Sequence, residues 1–253
     1  CSEQYSYTIG AIGLGSPGPL NPDEGIIESP PNLPGVSSLP IAKIIQSELG
    51  SLVFLLNDAD AAVVGEQAFG AGKGFENIVM LTFGTGIGSG VIAGGKLQRG
   101  MGKGGEWGHS TMAVGVGNPR FCGCGQMGCV ESYIGTKGLQ QTLNEFCATA
   151  QRHFQCQQNL INFHKSIDEH LSWEIGEIAP KLKEGISDGC QICGVILDRY
   201  AGHLAFAIGN IACVHNPECV ILGGGIANIG QPLMERLMFH LGRRADKMSG
   251  LLK

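Results

Sequence analysis

Short apolar segments along the chain alternate with segments of helical composition, and this alternation predicts an α/β fold. The apolar segments end in polar residues or glycine and indicate strands at residues 7–14, 52–56, 77–83, 90–93 and 219–222. The longer segments indicate helices at residues 41–49, 59–69, 136–147, 186–214 and 232–241. Gly50 and Gly70 directly follow the first two helices, where glycine is a common helix-ending residue.

Two glycine-rich loop regions separate these elements, at residues 15–40 and 100–135. A strand ends at Asn57 and a helix begins there. We therefore expect a small α/β domain over residues 1–56 and a large α/β domain over residues 57–253. The chain opens close to an apolar strand and stops soon after its last helix. We expect it to lack both ends of a longer protein, including the end of the large domain.

The composition fits a soluble globular protein, because hydrophobic residues make up 43% of the chain and charged residues 15%. The net charge of −5 disfavours an electrostatic nucleic-acid surface. No uninterrupted apolar run reaches the roughly 18 residues that span a bilayer. Glycine is abundant, at 41 of 253 residues, and it clusters beside the apolar runs. That clustering indicates binding loops built from backbone groups.

Ten cysteines and no visible signal peptide point to a reducing, cytoplasmic environment, in which thiols bind metal or pack as small hydrophobic side chains. Cys122, Cys124 and Cys129 lie in one glycine-rich loop, with His109 upstream. Three thiolates and one imidazole complete a tetrahedral zinc shell, and a complete shell indicates a structural ion. The alternative is that these are free thiols in a glycine-rich loop.

The pair Cys190-x-x-Cys193 has the spacing of a redox motif. It lies within the apolar helix predicted over residues 186–214, so we expect both to be buried structural thiols. The same expectation applies to four other cysteines, Cys147, Cys156, Cys213 and Cys219.

Two glycine turns are candidate ligand loops. The first, residues 84–88 (GTGIG), joins two predicted strands, so it lacks the helix that a dinucleotide-binding fingerprint requires. A P-loop is excluded because Leu97 stands where that motif has a hydroxyl residue. Bare N–H groups and the Thr85 hydroxyl at a hairpin tip can still bind phosphate, or the segment is a plain hairpin. The second turn, residues 223–225 (GGG), either brings the backbone close to a flat ligand or is simply a tight turn.

Three carboxylates are candidates for contact with a substrate. Asn57 and Asp58 stand where a strand ends and a helix begins. Carboxylates at this place are often catalytic in α/β proteins, although aspartate is also an ordinary helix cap. Glu106 and Glu131 flank the cysteine loop. Together with His109 they either bind the hydroxyls of a polyol or are ordinary solvated loop residues.

Taken together and in order, these motifs resemble the ROK family of bacterial sugar kinases and sugar-responsive repressors, and within it most closely the glucokinases. The resemblance runs from about residue 9 to residue 226 and rests on AIGLGSPGPLNP, SPPNLPG, NDADAAVVGEQAFGAGKG, LTFGTGIGSGVIAGGKL, GGEWGH, CGCGQMGCVES and NPECVILGGGI. Within these stretches, Gly-Glu-x-Gly-His and C-x-C-G-x-x-G-C-x-E are highly specific to this family.

The resemblance implies an actin-like ATPase (ribonuclease H-like) fold, in which two α/β domains close around a cleft, with a zinc-binding loop at residues 109–131. It implies transfer of the γ-phosphoryl group of ATP to a hexose, with Mg²⁺ on the phosphates and glucose 6-phosphate as the expected product. In this reaction Asp58 is the general base for the attacking sugar hydroxyl, and Asn57 orients the sugar beside it.

The resemblance also implies the remaining ligand contacts. Glu106, His109 and Glu131 bind the other sugar hydroxyls, and the histidine serves zinc with one ring nitrogen and sugar with the other. The implied zinc ligands are His109, Cys122, Cys124 and Cys129. The implied ATP-binding residues are Gly84, Thr85 and Gly86 on the phosphate side and Gly223 and Gly224 on the adenosine side.

Sugar and ATP are the expected partners, in a cytoplasmic enzyme of carbohydrate metabolism (glycolysis) that forms a dimer or tetramer and binds neither nucleic acid nor membrane. Two alternatives stay open, a sugar-responsive repressor and a catalytically inactive family member. The chain departs from the family pattern because it lacks the opening Asp-x-Gly-Gly-Thr hairpin and carries Asp60 where the family commonly has asparagine. The retained Asp58 and the intact GTG turn favour a kinase.

Overall fold

The computed structural model describes residues 9–29, 34–100, 104–113, 119–154 and 169–245. The strands are β1 Ala11–Ser16, β2 Leu20–Asn21, β3 Ile26–Ile27, β4 Leu52–Asn57, β5 Ile78–Phe83, β6 Ile87–Ala93, β7 Lys96–Leu97 and β8 Cys219–Gly224. The helices are α1 Ile41–Leu49, α2 Asp58–Phe69, α3 Glu131–Ile134, α4 Thr136–Phe154, α5 Ile178–Ser187, α6 Gln191–His215 and α7 Gln231–Ala245. Short 3-10 helices lie at Trp107–His109 and Ile226–Ile229.

The alternation of strands and helices confirms the predicted α/β class. Helix α1 has the predicted bounds, because the backbone of Gly50 adopts a left-handed conformation (φ 65°) and its N–H donates to the Gln46 carbonyl. The two strands around the GTGIG turn are β5 and β6, as the pattern predicts. Several elements extend beyond the predicted bounds, most of all α4, which continues to Phe154.

The single helix predicted over residues 186–214 is wrong, because the structure breaks it into α5 and α6. The break has a local cause. The backbone of Gly189 is at φ 79°, a conformation that ends a helix, and Cys190 then begins the next helix as its N-cap. Cys190 therefore lies at the start of a helix, where the sequence pattern placed it in the interior of one.

Strands β1 and β4 form a parallel two-stranded sheet, with Ala11 opposite Leu52 and Ser16 opposite Asn57. The first residues of the predicted strand at 7–14 lie outside the described part of the chain. These strands are only partly buried, because Leu52 and Phe54 of β4 are 59% and 60% exposed. Side chains alternate between the two faces of a strand, and the exposed positions of β1 and of the first half of β4 alternate with less exposed ones.

A four-stranded sheet has the order β7-β6-β5-β8. Strand β5 is buried along nearly its whole length, with Ile78, Val79 and Leu81 at most 1% exposed. Helix α6 is the main core helix and buries thirteen residues, among them Tyr200, whose hydroxyl donates to the Ile134 carbonyl at 2.6 Å. Helix α6 is long and apolar enough to cross a membrane, but 61% of its most apolar 18-residue window is buried inside the protein, as expected for a core helix.

The chain divides into two compact units. The first comprises residues 1–80 and 90–105, and its core contains Leu20, Ile27 and Leu55. The second comprises residues 81–89 and 106–253 and contains α3 to α7. The domain boundary at residue 57 stays a prediction.

Candidate functional site

The two glycine turns lie side by side in the second unit. The N–H of Gly225 donates to the carbonyl of Phe83, the last residue of β5, at 3.0 Å. A Cβ at Gly224 (φ 88°) would lie 2.3 Å from the same carbonyl oxygen, so only glycine fits there. The Thr136 hydroxyl donates to the carbonyl of Gly84. The GTGIG turn is thus held by a second glycine turn and by the start of α4.

The carboxylate of Glu131 connects the GTGIG turn to the cysteine loop. Its Oε2 accepts the N–H of Ile87 at 3.0 Å, and its Oε1 accepts from the Cys122 thiol at 3.6 Å. A Cβ at Gly86 would lie 2.3 Å from Glu131 Oε2, so this approach requires glycine in the turn. The sequence suggested a role for Glu131 in sugar binding, and the structure adds that the carboxylate is already oriented by the protein itself.

The segment Glu106–His109 docks on strand β6. The Trp107 N–H donates to the Ser89 hydroxyl at 3.0 Å, and its indole N–H lies 3.0 Å from Nε2 of His215 at the end of α6. Gly108 packs so tightly that a Cβ there would lie 2.9 Å from the Ile87 carbonyl oxygen. The side chains of Glu106 and His109 are exposed, so both are available to a ligand.

The four predicted zinc ligands come together. One ligand atom from each of His109, Cys122, Cys124 and Cys129 lies within 4.8 Å of all the others. Nδ1 of the histidine is 3.8 Å from the Cys122 Sγ, and the sulfur atoms of Cys124 and Cys129 are 3.7 Å apart. Zinc bonds of about 2.3 Å to sulfur and 2.0–2.1 Å to nitrogen place tetrahedral ligand atoms about 3.6–3.8 Å apart. The observed separations therefore fit a bound zinc ion.

The protein environment shifts the pKa values of the three loop thiols in different directions. Burial raises the pKa of Cys122 to about 12 and also raises the pKa of Cys129. A backbone hydrogen bond from Gln126, followed by the Cys122 side chain, lowers the pKa of Cys124. Thiols must lose their protons to bind a metal, so a cation bound here would have to overcome the raised pKa values of Cys122 and Cys129.

Arg120, two residues before the first cysteine of the loop, was not singled out by the sequence. Its guanidinium is buried and donates five hydrogen bonds. The acceptors are both carboxylate oxygens of Glu145 (3.2 and 2.8 Å), the carbonyls of Ser132 (3.2 Å) and Gly138 (2.9 Å), and the Thr142 hydroxyl (2.9 Å). Every N–H of the arginine side chain is therefore satisfied, and the cysteine loop is fastened to α3 and α4.

The charge of Arg120 acts on two neighbouring groups. Burial alone would raise the pKa of Glu145, but the hydrogen bonds and charge of Arg120 outweigh it and lower that pKa. At His203 burial comes first and Arg120 second, and together they lower the pKa to about 4. Nδ1 of His203 is buried and has no hydrogen-bond partner within the described residues.

Asn57 and Asp58 lie in the first unit, at the junction of β4 and α2. Asn57 is the cap of α2, because its Oδ1 accepts the N–H groups of Ala59 (2.9 Å) and Asp60 (3.4 Å). The alternative in which Asp58 is the cap is therefore wrong. Asp58 is the first residue of the helix, and its exposed carboxylate lies at the positive end of the helix dipole.

The second unit thus brings together the two glycine turns, the Glu106–His109 segment, Glu131 and the zinc-ligand cluster. Asn57 and Asp58 lie together at one helix start in the first unit. The individual roles of all these residues in sugar and ATP binding stay predictions. All eight cysteines within the described residues are free thiols, without disulfides.

Comparison with known proteins gives relatives across almost the whole chain. The glucokinase of Thermotoga maritima is 36% identical over 236 residues, which are 91% of this chain and 69% of that protein. The xylose repressor of Caldicellulosiruptor bescii is 27% identical over 92% of this chain and 55% of its own length. The structure of a ROK family glucokinase from Streptomyces griseus, in complex with glucose and AMPPNP, aligns with a TM-score of 0.71 at 27% identity. That alignment covers 96% of this chain and 73% of the S. griseus chain.

The sequence profile of the ROK family matches residues 2–247. The structural similarity covers the same part of the chain and supports the actin-like ATPase fold that the resemblance implied. On this evidence the chain belongs to the ROK family.

Proposed function

We propose that this protein is an ATP-dependent hexose kinase, with glucose as the substrate. The observation that carries the proposal is the meeting of the GTGIG and GGG turns at the end of β5, next to Glu131 and the Glu106–His109 segment. Phosphoryl transfer requires positioning and charge stabilisation more than covalent chemistry, and such an array of backbone turns and fixed carboxylates is suited to it. The similarity to glucokinases from two bacteria supports the same activity.

On the nucleotide side, the two glycine turns hold ATP. Gly84, Thr85 and Gly86 contact its phosphates, and Gly223 and Gly224 lie against adenosine. The close approaches at Gly86 and Gly224 fix the backbone of both turns, so their N–H groups are oriented before the nucleotide binds. Mg²⁺ supplies charge neutralisation on the phosphates when it is bound.

On the sugar side, Glu106, His109 and Glu131 bind ring hydroxyls and Asn57 orients the sugar. Because Nδ1 of His109 faces the Cys122 sulfur, Nε2 is the nitrogen left for the sugar. Asp58 accepts the proton of the attacking hydroxyl. Its side chain is exposed and lies at a helix start, where its Oδ1 accepts the N–H of Ala59 at 2.8 Å.

The zinc cluster is structural in this proposal. His109, Cys122, Cys124 and Cys129 hold the ion, which contributes rigidity and takes no part in proton or phosphoryl transfer. Glu131 lies two residues after the last cysteine of this loop, Cys129, so a rigid loop also holds the proposed sugar-binding carboxylate in place. We also propose that the protein is cytoplasmic and forms a dimer or tetramer.

The test is an ADP-release assay with Mg-ATP and a panel of glucose, fructose, mannose, N-acetylmannosamine and N-acetylglucosamine. Loss of a general base reduces kcat by about 10²- to 10⁴-fold, and we expect this for Asp58→Asn. The matched control is Asp23→Asn in the same unit, an 85% exposed residue in a surface ion pair with Arg99, which should leave kcat unchanged.

Turnover with glucose above the other sugars, lost in Asp58→Asn only, would support the proposal. Turnover that survives Asp58→Asn would contradict the role of this residue. If no sugar releases ADP while circular dichroism shows a folded protein, the kinase proposal fails.

A sugar-responsive repressor is the second candidate, because the xylose repressor of C. bescii matches 92% of the chain. This candidate predicts sugar binding without turnover. Calorimetric titration with the same five sugars would detect it, and heat of binding without ADP release would favour the repressor over the kinase.

A further inference from the structure

A second cluster of metal-binding side chains lies outside the candidate kinase site. His170 Nε2 is 3.3 Å from the Sγ of Cys193 and 3.6 Å from the Sγ of Cys190, and the three ligand atoms all lie within 4.8 Å of one another. His170 and Cys193 are buried, at 4% and 1% exposed, and Cys190 is half-buried. Two thiols and an imidazole meeting in the protein interior need an explanation beyond packing.

The break between α5 and α6 creates this arrangement. Because Gly189 ends the preceding segment, Cys190 becomes the N-cap of α6, and its sulfur accepts the N–H of Cys193 at 3.4 Å. The N–H of Cys190 is fixed in turn by the Gly185 carbonyl at 2.8 Å. Both thiols therefore stand on the first turn of the helix and face the helical turn at residues 169–171.

Glycine at position 185 keeps the space that this cluster needs. A Cβ at Gly185 would lie 2.5 Å from the Cys193 sulfur and 3.5 Å from the Cys190 Cβ. Even alanine would therefore push the Cys193 thiol away from its present position. The present position of the Cys193 thiol therefore depends on the absence of a side chain at residue 185.

Hydrogen bonding alone does not account for the geometry. Nε2 of a histidine has either one proton or one lone pair, so it can form a good hydrogen bond with only one of the two thiols. In the structure it lies close to both. A tetrahedral zinc ion with bonds of about 2.3 Å to sulfur and 2.0–2.1 Å to nitrogen places S and N about 3.6 Å apart, close to the two observed distances.

We propose that His170, Cys190 and Cys193 bind a second structural zinc ion. Thiolates and imidazole are the donors that zinc prefers, whereas Mg²⁺ and Ca²⁺ take oxygen ligands. Three protein ligands leave one tetrahedral position. Cys147 of α4 is fully buried and acts electrostatically on Cys193, but its sulfur lies outside the group of three ligand atoms. The ion ties the helical turn at residues 169–171 to the start of the main core helix.

The test is the zinc content of the full chain, purified with a reducing agent and measured by native mass spectrometry and by elemental analysis. We expect two zinc ions per chain. The double variant Cys190→Ser/Cys193→Ser should keep one, and Cys122→Ser/Cys124→Ser should also keep one. The matched control Cys213→Ser removes an exposed thiol near the other end of α6 and should keep both.

A measurement on the unaltered chain guards against variants that fail to fold. Cys190 and Cys193 should resist alkylation until a chelator is added, whereas Cys213 reacts at once because it is exposed. A single zinc ion that Cys190→Ser/Cys193→Ser retains would overturn the proposal. A Cys190–Cys193 disulfide in the purified chain, or alkylation of both thiols without chelator, would overturn it as well. None of these readouts depends on kinase activity, so the outcome is independent of the proposed function.

Discussion

Replacing the buried Arg120 with methionine should lower the free energy of unfolding more than replacing the arginine of an exposed ion pair. Methionine keeps much of the length of the side chain and removes all five hydrogen bonds of the buried guanidinium. The comparison is Arg99→Met, which breaks an exposed pair with Asp23. Both substitutions delete one arginine. The difference in the free energy of unfolding between the two variants therefore reflects the burial and the hydrogen bonds of Arg120.

The structure allows the magnitude to be worked out. A buried acceptor that loses its donor costs about 1–3 kcal/mol, and the Ser132 carbonyl is in this position. The Gly138 carbonyl keeps a hydrogen bond from the Thr142 hydroxyl, so the loss of Arg120 costs less free energy there. Deleting one partner of a fully buried ion pair costs about 3–5 kcal/mol. The Glu145 side chain is 51% exposed, so its hydration offsets part of this ion-pair cost. We expect a loss of about 4 kcal/mol for Arg120→Met and less than about 1 kcal/mol for Arg99→Met.

Urea unfolding followed by far-UV circular dichroism measures the effect, because this signal reports the helices of both units, whereas both tryptophans, Trp107 and Trp173, lie in the second unit. A loss of this size lowers the Tm by about 10 °C in a unit of this length. Arg120→Lys should recover only part of the stability, because an ammonium group cannot reach five acceptors. Equal, small losses for Arg120→Met and Arg99→Met would refute the reasoning.

Two further predictions concern stability. Because the folded-state pKa of His203, about 4, lies below the unfolded value near 6.5, the unfolded chain binds an extra proton between these pH values. The free energy of unfolding should therefore fall as the pH drops through this window, by about 2 kcal/mol between pH 7.5 and 5 from this residue. Urea titrations at both pH values should show a smaller fall in His203→Phe, and an equal fall would contradict the assignment. Gly224→Ala should cost about 2–4 kcal/mol, since it combines a positive φ with a clash against the Phe83 carbonyl. Gly225→Ala, where the new Cβ meets open space at a helical φ, should stay within about 0.5 kcal/mol of the parent in the same titration. Similar losses in both variants would show that the turn tolerates a Cβ.

The sequence was sufficient for features that depend on local signals. Gly50 ends α1 where the pattern placed the end, and the strands around the GTGIG turn follow from two apolar runs on either side of small residues. The grouping of the four candidate zinc ligands was also predictable, because three of them share one loop and the fourth is the nearest histidine.

Other features could not be predicted from the sequence, because the interacting residues are distant in sequence or the sequence signal is ambiguous. The acceptors of Arg120 lie 12 to 25 residues away on two helices, and no pattern at Arg120 itself marks them. The break before α6 did have a signal, Gly189, but the apolar pattern on both sides continued through it. With the break unrecognised, the thiols of Cys190 and Cys193 looked like ordinary helix-interior residues, and His170 had no reason to be grouped with them.

The hydrogen bonds that assemble the candidate site differ widely in sequence separation, and this has a consequence for the order of folding. Cys124 and Cys129 are 5 residues apart, and His109 and Cys122 are 13 apart, so the metal cluster closes only short loops. The contact from Ile87 to Glu131 spans 44 residues and that from Trp107 to His215 spans 108. Closing a loop costs more entropy as the loop lengthens, and contacts of high sequence separation slow folding. The four candidate zinc ligands can therefore come together early on the emerging chain, whereas the two glycine turns meet only after α6 has been synthesised.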